Sequence, residues 1–195
     1  MTIPDQELMS QIRAKYRPFI AAAVEGTPIP ESFLAALIAN ESGGNTQASR
    51  LEPAVLLALA EVAIGRKANY GAIGRQDLLE WCEPQGASSR AFADSLLALV
   101  NLATSWGLTQ IMGYKALAEH FALSELMDLN RQLSHAVYDM ADFCRRFAIN
   151  NLPEQVAIEQ LLRCWNTGRP DGKTFDPAYV PNGILRMRLY EELPA

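Results

Sequence analysis

A chain of 195 residues, 49% of them apolar, is long enough for one complete hydrophobic core and short for two. Its 17 basic and 22 acidic side chains leave a net charge of −5 without any basic run, which excludes general charge attraction to nucleic acid or to anionic lipid. The 3 cysteines, Cys82, Cys144 and Cys164, match no metal-ligand spacing and cannot build a disulfide framework, so buried thiols are expected. In chain order, Met1 to Glu7 carries two acids and no apolar run, which predicts synthesis into the cytoplasm without a signal peptide. Leu8, Ile12, Tyr16, Ile20 and Val24 recur at helical spacing and predict a helix over 5–24, broken by Gly26, Pro28 and Pro30. Pro30-Glu31-Ser32 suits the first turn of a second helix with Phe33, Leu37 and Ile38 facing the core, and Gly43-Gly44 should end it. Residues 45–70 predict a brief strand-like piece and then a helix. The apolar run Ala54 to Ala60 stops at Glu61, well short of the ~20 residues of a membrane span. Helical periodicity or caps follow over 77–81, 89–104, 114–121, 124–150, 153–165 and 177–193, so the chain reads as mainly α, without internal repeats.

Three blocks carry the functional signal. Glu41-Ser42-Gly43-Gly44-Asn45-Thr46-Gln47-Ala48 closes the second helix, Gly107-Leu108-Thr109-Gln110-Ile111-Met112 follows Trp106, and Trp165-Asn166-Thr167-Gly168 comes late. In this order they resemble the E-S-G, G-L-x-Q-I-M and W-N-x-G blocks of the lysozyme superfamily, in particular phage-type N-acetylmuramidase domains and soluble lytic transglycosylases. Each block alone is weak, because its residues are common; three in family order, the first closing a helix, are not. The resemblance covers residues 28–192. It implies one lysozyme-like α+β domain over 1–195, with residues 1–27 a preceding helix and linker. Two lobes are expected, a smaller irregular or β-containing one around 41–75 and a helical one from about 89, with a cleft between them.

The implied chemistry is cleavage of the β-1,4 bond between N-acetylmuramic acid and N-acetylglucosamine. Such cleavage needs a carboxyl that donates a proton to the leaving oxygen, and Glu41 is that residue here. Its place at a helix C-terminus, where the dipole disfavours negative charge, suits an acid better than an anion. A hydrolase needs a second carboxylate, for which Glu52 and Asp94 are the candidates; an ion pair with Arg50 or Arg66 is an equal reading of Glu52. A lytic transglycosylase needs none, because one glutamate acts as acid and then base. Gln110 offers a donor and an acceptor to sugar groups. Trp106 either stacks on a sugar or fills the core, and Met112 is a soft wall or core. Asn166 matches the family asparagine beside the acid, and Ser49 and Tyr179 complete the expected substrate-binding set.

No metal and no cofactor are expected, and His120 and His135 have no ligand pattern around them. The expected partner is peptidoglycan glycan strands, reached after release from the cell by a phage-lysin or effector route, with chitin as a substitute substrate. Nucleic acid and stable membrane insertion are not expected, and no oligomeric state follows from the sequence. Two readings of other kinds stay open: a non-catalytic wall-binding module with the same fold, and a nucleotide binder using Gly168-Arg169-Pro170-Asp171-Gly172-Lys173-Thr174. The latter lacks one residue of a phosphate-binding loop and follows a helical pattern instead of a strand, so a polar turn is expected.

Overall fold

The structure, a computed structural model, describes residues 4–82 and 89–194, with the backbone alone for 89–94. In chain order the first half runs α1 (Asp5–Val24), α2 (Glu31–Ser42), β1 (Ser49–Leu51), α3 (Pro53–Ala63), β2 (Asn69–Tyr70), β3 (Ile73–Gly74), α4 (Arg75–Trp81) and α5 (Ser89–Leu102). The second half runs β4 (Thr104–Trp106), β5 (Ile111–Met112), α6 (Tyr114–Ala118), α7 (Leu129–Arg146), α8 (Glu154–Thr167) and α9 (Tyr179–Glu191), with short 3-10 turns at Leu123–Met127 and Ile149–Asn151. The protein is mainly helical with a small antiparallel sheet, as the periodicity predicts. No helix among the described residues is long and apolar enough to cross a membrane.

The chain divides into two compact units, one holding the residues up to Thr46 and from Leu129 onward, the other Gln47–Asp128. The expected lobe boundaries are therefore corrected. Residues 41–46 stay with α2, and α5 with the segment after it joins α3 and α4, because Leu102 and Ala103 share one core with Leu59, Val62, Ile73 and Leu78.

In the first unit α2 is the central element. Ser32 through Ala39 are all buried, so the helix is covered on every side, by α1 and α9 among others. Pro30 stands just before the first turn, where its missing N–H costs nothing. Gly43 ends the helix in the left-handed conformation (φ 59°, ψ 25°), which a residue with a Cβ adopts at a cost. The α1 boundaries are those predicted. Pro18 lies inside that helix, whose buried stripe from Leu8 to Val24 holds it continuous across the lost hydrogen bond.

In the second unit β4 pairs with both β1 and β5, in the register Ser49–Trp106, Arg50–Ser105 and Leu51–Thr104 on one side and Ser105–Met112 and Trp106–Ile111 on the other. The helix predicted over 89–104 stops at Leu102, and Thr104 enters the sheet, its backbone carbonyl accepting the Gly113 N–H at 2.7 Å. The helix predicted over 124–150 begins only at Leu129, since Asp128 is extended (φ −83°, ψ 124°) after the 3-10 turn; at its other end Ala148 turns left-handed (φ 52°).

Gly113, directly after β5, tolerates no side chain, because a Cβ there would lie 2.1 Å from the Asn101 carbonyl oxygen, a backbone atom that cannot swing aside. Gly113→Ala should destabilise the protein by about 2 kcal/mol or more, near the upper end of overpacking costs. Urea unfolding checks this; a loss well under ~1 kcal/mol would mean that α5 and β5 do not approach as described.

Candidate active site

Glu41 and Ser42 form the last residues of α2, one residue beyond its fully buried run, so the carboxylate is carried on a rigid stem and is itself half-buried. The loop behind it is tied down. Ser42 Oγ donates to the Ile38 carbonyl at 3.1 Å and accepts the Gly44 N–H at 3.2 Å, while the Tyr16 hydroxyl of α1 donates to the Gly44 carbonyl at 2.8 Å.

Tyr179, the first residue of α9, donates its phenol O–H to Glu41 Oε1. The ring is 8% exposed. Burial pushes the phenol above its ordinary value of 10.0, and the charge of Glu41 and the hydrogen bond to it raise it further. Tyr179 therefore stays a neutral donor at any ordinary pH.

Asn40 joins this pair to a third helix. Its Nδ2 donates to the Tyr179 carbonyl at 3.0 Å, and its Oδ1 accepts from Arg186 Nη1 at 2.6 Å, a pairing that leaves the amide only one sensible orientation. Arg186 also donates through Nε (2.9 Å) to Asp5 Oδ1 at the start of α1, and its Nη2 lies 2.8 Å from the same oxygen in an ion pair. Gly183 makes room for this layer, since a Cβ there would lie 2.8 Å from a Leu162 methyl and 3.2 Å from Asn40 Nδ2.

Of the residues predicted for the site, Glu41, Asn166 and Tyr179 belong to the first unit and Ser49, Glu52, Asp94, Trp106, Gln110 and Met112 to the second. Glu41 and Tyr179 are in contact. Asn166 is exposed in the last turn of α8. Ser49, exposed on β1, faces Trp106 across the ladder, and both Trp106 and Met112 are half-buried. Trp106 Nε1 is committed to the Asn101 carbonyl at 3.1 Å. Gln110 occupies a left-handed conformation (φ 53°), and its Nε2 donates to the Ala48 (3.1 Å) and Gly107 (2.9 Å) carbonyls while its Oε1 accepts the Ser105 hydroxyl at 2.8 Å. Both amide protons are thus spent on backbone carbonyls, one in the turn and one just before β1, and this side chain ties the 107–112 loop to that segment. Glu52 pairs with Arg50 Nε at 2.6 Å on the surface, the ion-pair reading of that residue. Asp94 lies on α5 with its side chain outside the described residues.

The other candidates are quiet. Cys144 and Cys164 are buried and Cys82 half-buried, all as free thiols, and burial pushes Cys164 up to about 11, far from a thiolate nucleophile. The segment after Gly168 follows a helix C-terminus, and its turn is closed internally: Gly172 N–H reaches the Arg169 carbonyl (3.2 Å) and the Thr167 hydroxyl spans the Arg163 (2.9 Å) and Arg169 (3.1 Å) carbonyls. That end of a helix repels phosphate. Comparison with protein-family models, curated proteins and solved structures gives no significant match to this chain.

Folded Tyr179 holds its proton more tightly than an unfolded tyrosine does, so its contribution to stability is complete below about pH 10 and falls away above it, by up to ~1.4 kcal/mol per pH unit. Tyr179→Phe should flatten that alkaline fall in urea unfolding between about pH 9 and 11.5. Parallel curves for the two proteins would place the phenol in water.

Proposed function

We propose that this chain cleaves peptidoglycan glycan strands at the bond between N-acetylmuramic acid and N-acetylglucosamine, with Glu41 delivering the proton to the leaving oxygen. The observation that carries the reading is the Glu41–Tyr179 contact: a carboxyl at a rigid helix end, held by a buried phenol that cannot ionise. The hydrogen bond from Tyr179 to Oε1 holds the carboxyl in one orientation at the end of α2. The three motif blocks, and the resemblance to lysozyme-like domains with a substrate cleft that they carry, supply the substrate class; Trp106, Met112, Ser49 and Asn166 are the residues proposed to meet the sugars.

The nucleophile divides two readings. A muramidase needs a second carboxylate to position or activate water. The Arg50 guanidinium at 2.6 Å from Glu52 Oε1 favours the other reading, a lytic transglycosylase, in which Glu41 alone acts as acid and then as base while the C6 hydroxyl of the muramyl residue attacks C1.

Digestion of purified peptidoglycan followed by mass analysis of the products is the test. Wild-type protein should release muropeptides, and Glu41→Gln, which keeps the shape but carries no acidic proton, should lose ~10²-fold or more of the activity. More than a tenth of wild-type activity in that variant removes Glu41 from the role. Free reducing ends together with a ~10²-fold loss in Glu52→Gln or Asp94→Asn identify the hydrolase. Anhydro-muramyl ends with both variants active identify the transglycosylase.

A further inference from the structure

The lysozyme-like resemblance begins at residue 28, yet two side chains of the preceding helix reach the surroundings of Glu41. Asp5 accepts a hydrogen bond from Arg186 Nε and pairs with its charge, while Arg186 Nη1 donates to Asn40, the residue before Glu41. Asn40 in turn holds the carbonyl of Tyr179. Tyr16 holds the carbonyl of Gly44, three residues after Glu41, and Gly44 sits against the same helix, since a Cβ on it would lie 3.3 Å from Ile12 Cγ1. Asp5, Ile12 and Tyr16 are spaced by seven and four residues, so they share one face of α1.

From this we infer that α1 is a working part of the Glu41 site, with Asp5 and Tyr16 as positioning residues that fix the end of α2 and the start of α9 from outside the family-like core. The inference rests on the proposed role of Glu41 and deepens it.

The physical case turns on direction. The apolar stripe of α1, Leu8, Met9, Ile12, Ile20 and Val24, would stabilise the unit in any rotation or small shift that kept it buried, because hydrophobic burial has no preferred orientation. The polar contacts do have one. The guanidinium of Arg186, its side chain only 16% exposed, is a planar fork whose donors are divided between one carboxylate and one amide, so its two partners are fixed in relation to each other within tenths of an ångström. One partner is the first residue of α1 and the other is next to the acid. Removing Asp5 leaves a largely buried cation with one partner fewer, and the guanidinium must move toward solvent, drawing Asn40 and then the Tyr179 carbonyl out of register. Tyr16 acts on the other side of Glu41, where the left-handed glycines would otherwise let the loop swing.

The test compares Asp5→Asn and Tyr16→Phe with Arg13→Gln in the full-length chain. Arg13 also ties α1 to α9, but at the far end, through the Tyr190 (2.9 Å) and Leu193 (3.2 Å) carbonyls, so its loss controls for loosening of the helix as such. Two readouts are taken on each protein after its melting temperature is matched by choice of assay temperature: kcat and KM on soluble peptidoglycan fragments, and titration of the Tyr179 phenol by NMR of ζ-carbon-labelled tyrosine. Asp5→Asn and Tyr16→Phe are expected to lower kcat about tenfold with KM within twofold, a sub-ångström misplacement of the acid, and Asp5→Asn to bring the Tyr179 titration down toward an ordinary phenol. Arg13→Gln should leave both readouts at wild-type values. If Asp5→Asn and Tyr16→Phe lower only the melting temperature, or act no differently from Arg13→Gln, α1 is merely structural. Should wild-type protein release no muropeptides at all, the proposed function fails on its own, and the Tyr179 titration still decides whether α1 positions the pair.

Discussion

The hydrogen bond from the Tyr179 phenol to Glu41 is the contact around which the first unit is organised. It joins the last turn of α2 to the first residue of α9, elements 138 residues apart in sequence, and it does so inside a layer where the ring is almost fully buried. A buried phenol without an acceptor would cost a few kcal/mol, and a half-buried carboxylate without a donor would cost more. Each group answers the other's need, and neither position tolerates a replacement that answers it badly.

Everything nearby serves to keep those two atoms in place. The all-round burial of α2 makes the stem rigid; Gly43 ends it sharply; Ser42 and Tyr16 anchor the following turn; Asn40, Gly183 and Arg186 hold α9 close. Glu41 stands at the negative end of the α2 dipole, a place that sequence statistics give to cations more than to acids. The second unit shows the same economy of polar groups in its 107–112 turn, where the Gln110 amide is consumed by backbone carbonyls of two segments.

Much of the fold was legible from pattern. The α1 stripe, the glycine stop of α2 and the strand-then-helix order of 49–63 follow from periodicity and caps that act within a few residues. What was not legible is what depends on distant partners. Strands β4 and β5 are two or three residues long and exist because β1 offers β4 an edge 55 residues away, which no local propensity reports. Around the candidate site, Glu41 and Tyr179 were singled out separately but their contact was not foreseen, and the surrounding Asn40, Arg186, Asp5 and Tyr16 were missed. The one available signal was Asn40 itself, a polar residue closing a run of buried ones. Gln110 was read as a sugar contact because its amide is chemically suited to one; that it is spent on the Ala48 and Gly107 carbonyls is a tertiary fact.

The most direct measurement of the central contact is the titration of wild-type Tyr179 followed by NMR of its ζ carbon, since the shift of that carbon reports ionisation of this phenol alone. A phenol buried against Glu41 should show no ionisation until the pH is well above 10, with the transition displaced or lost together with unfolding. A clean titration near 10 in the folded protein would mean that Tyr179 faces water, and that Glu41 is not held in the way on which this account depends.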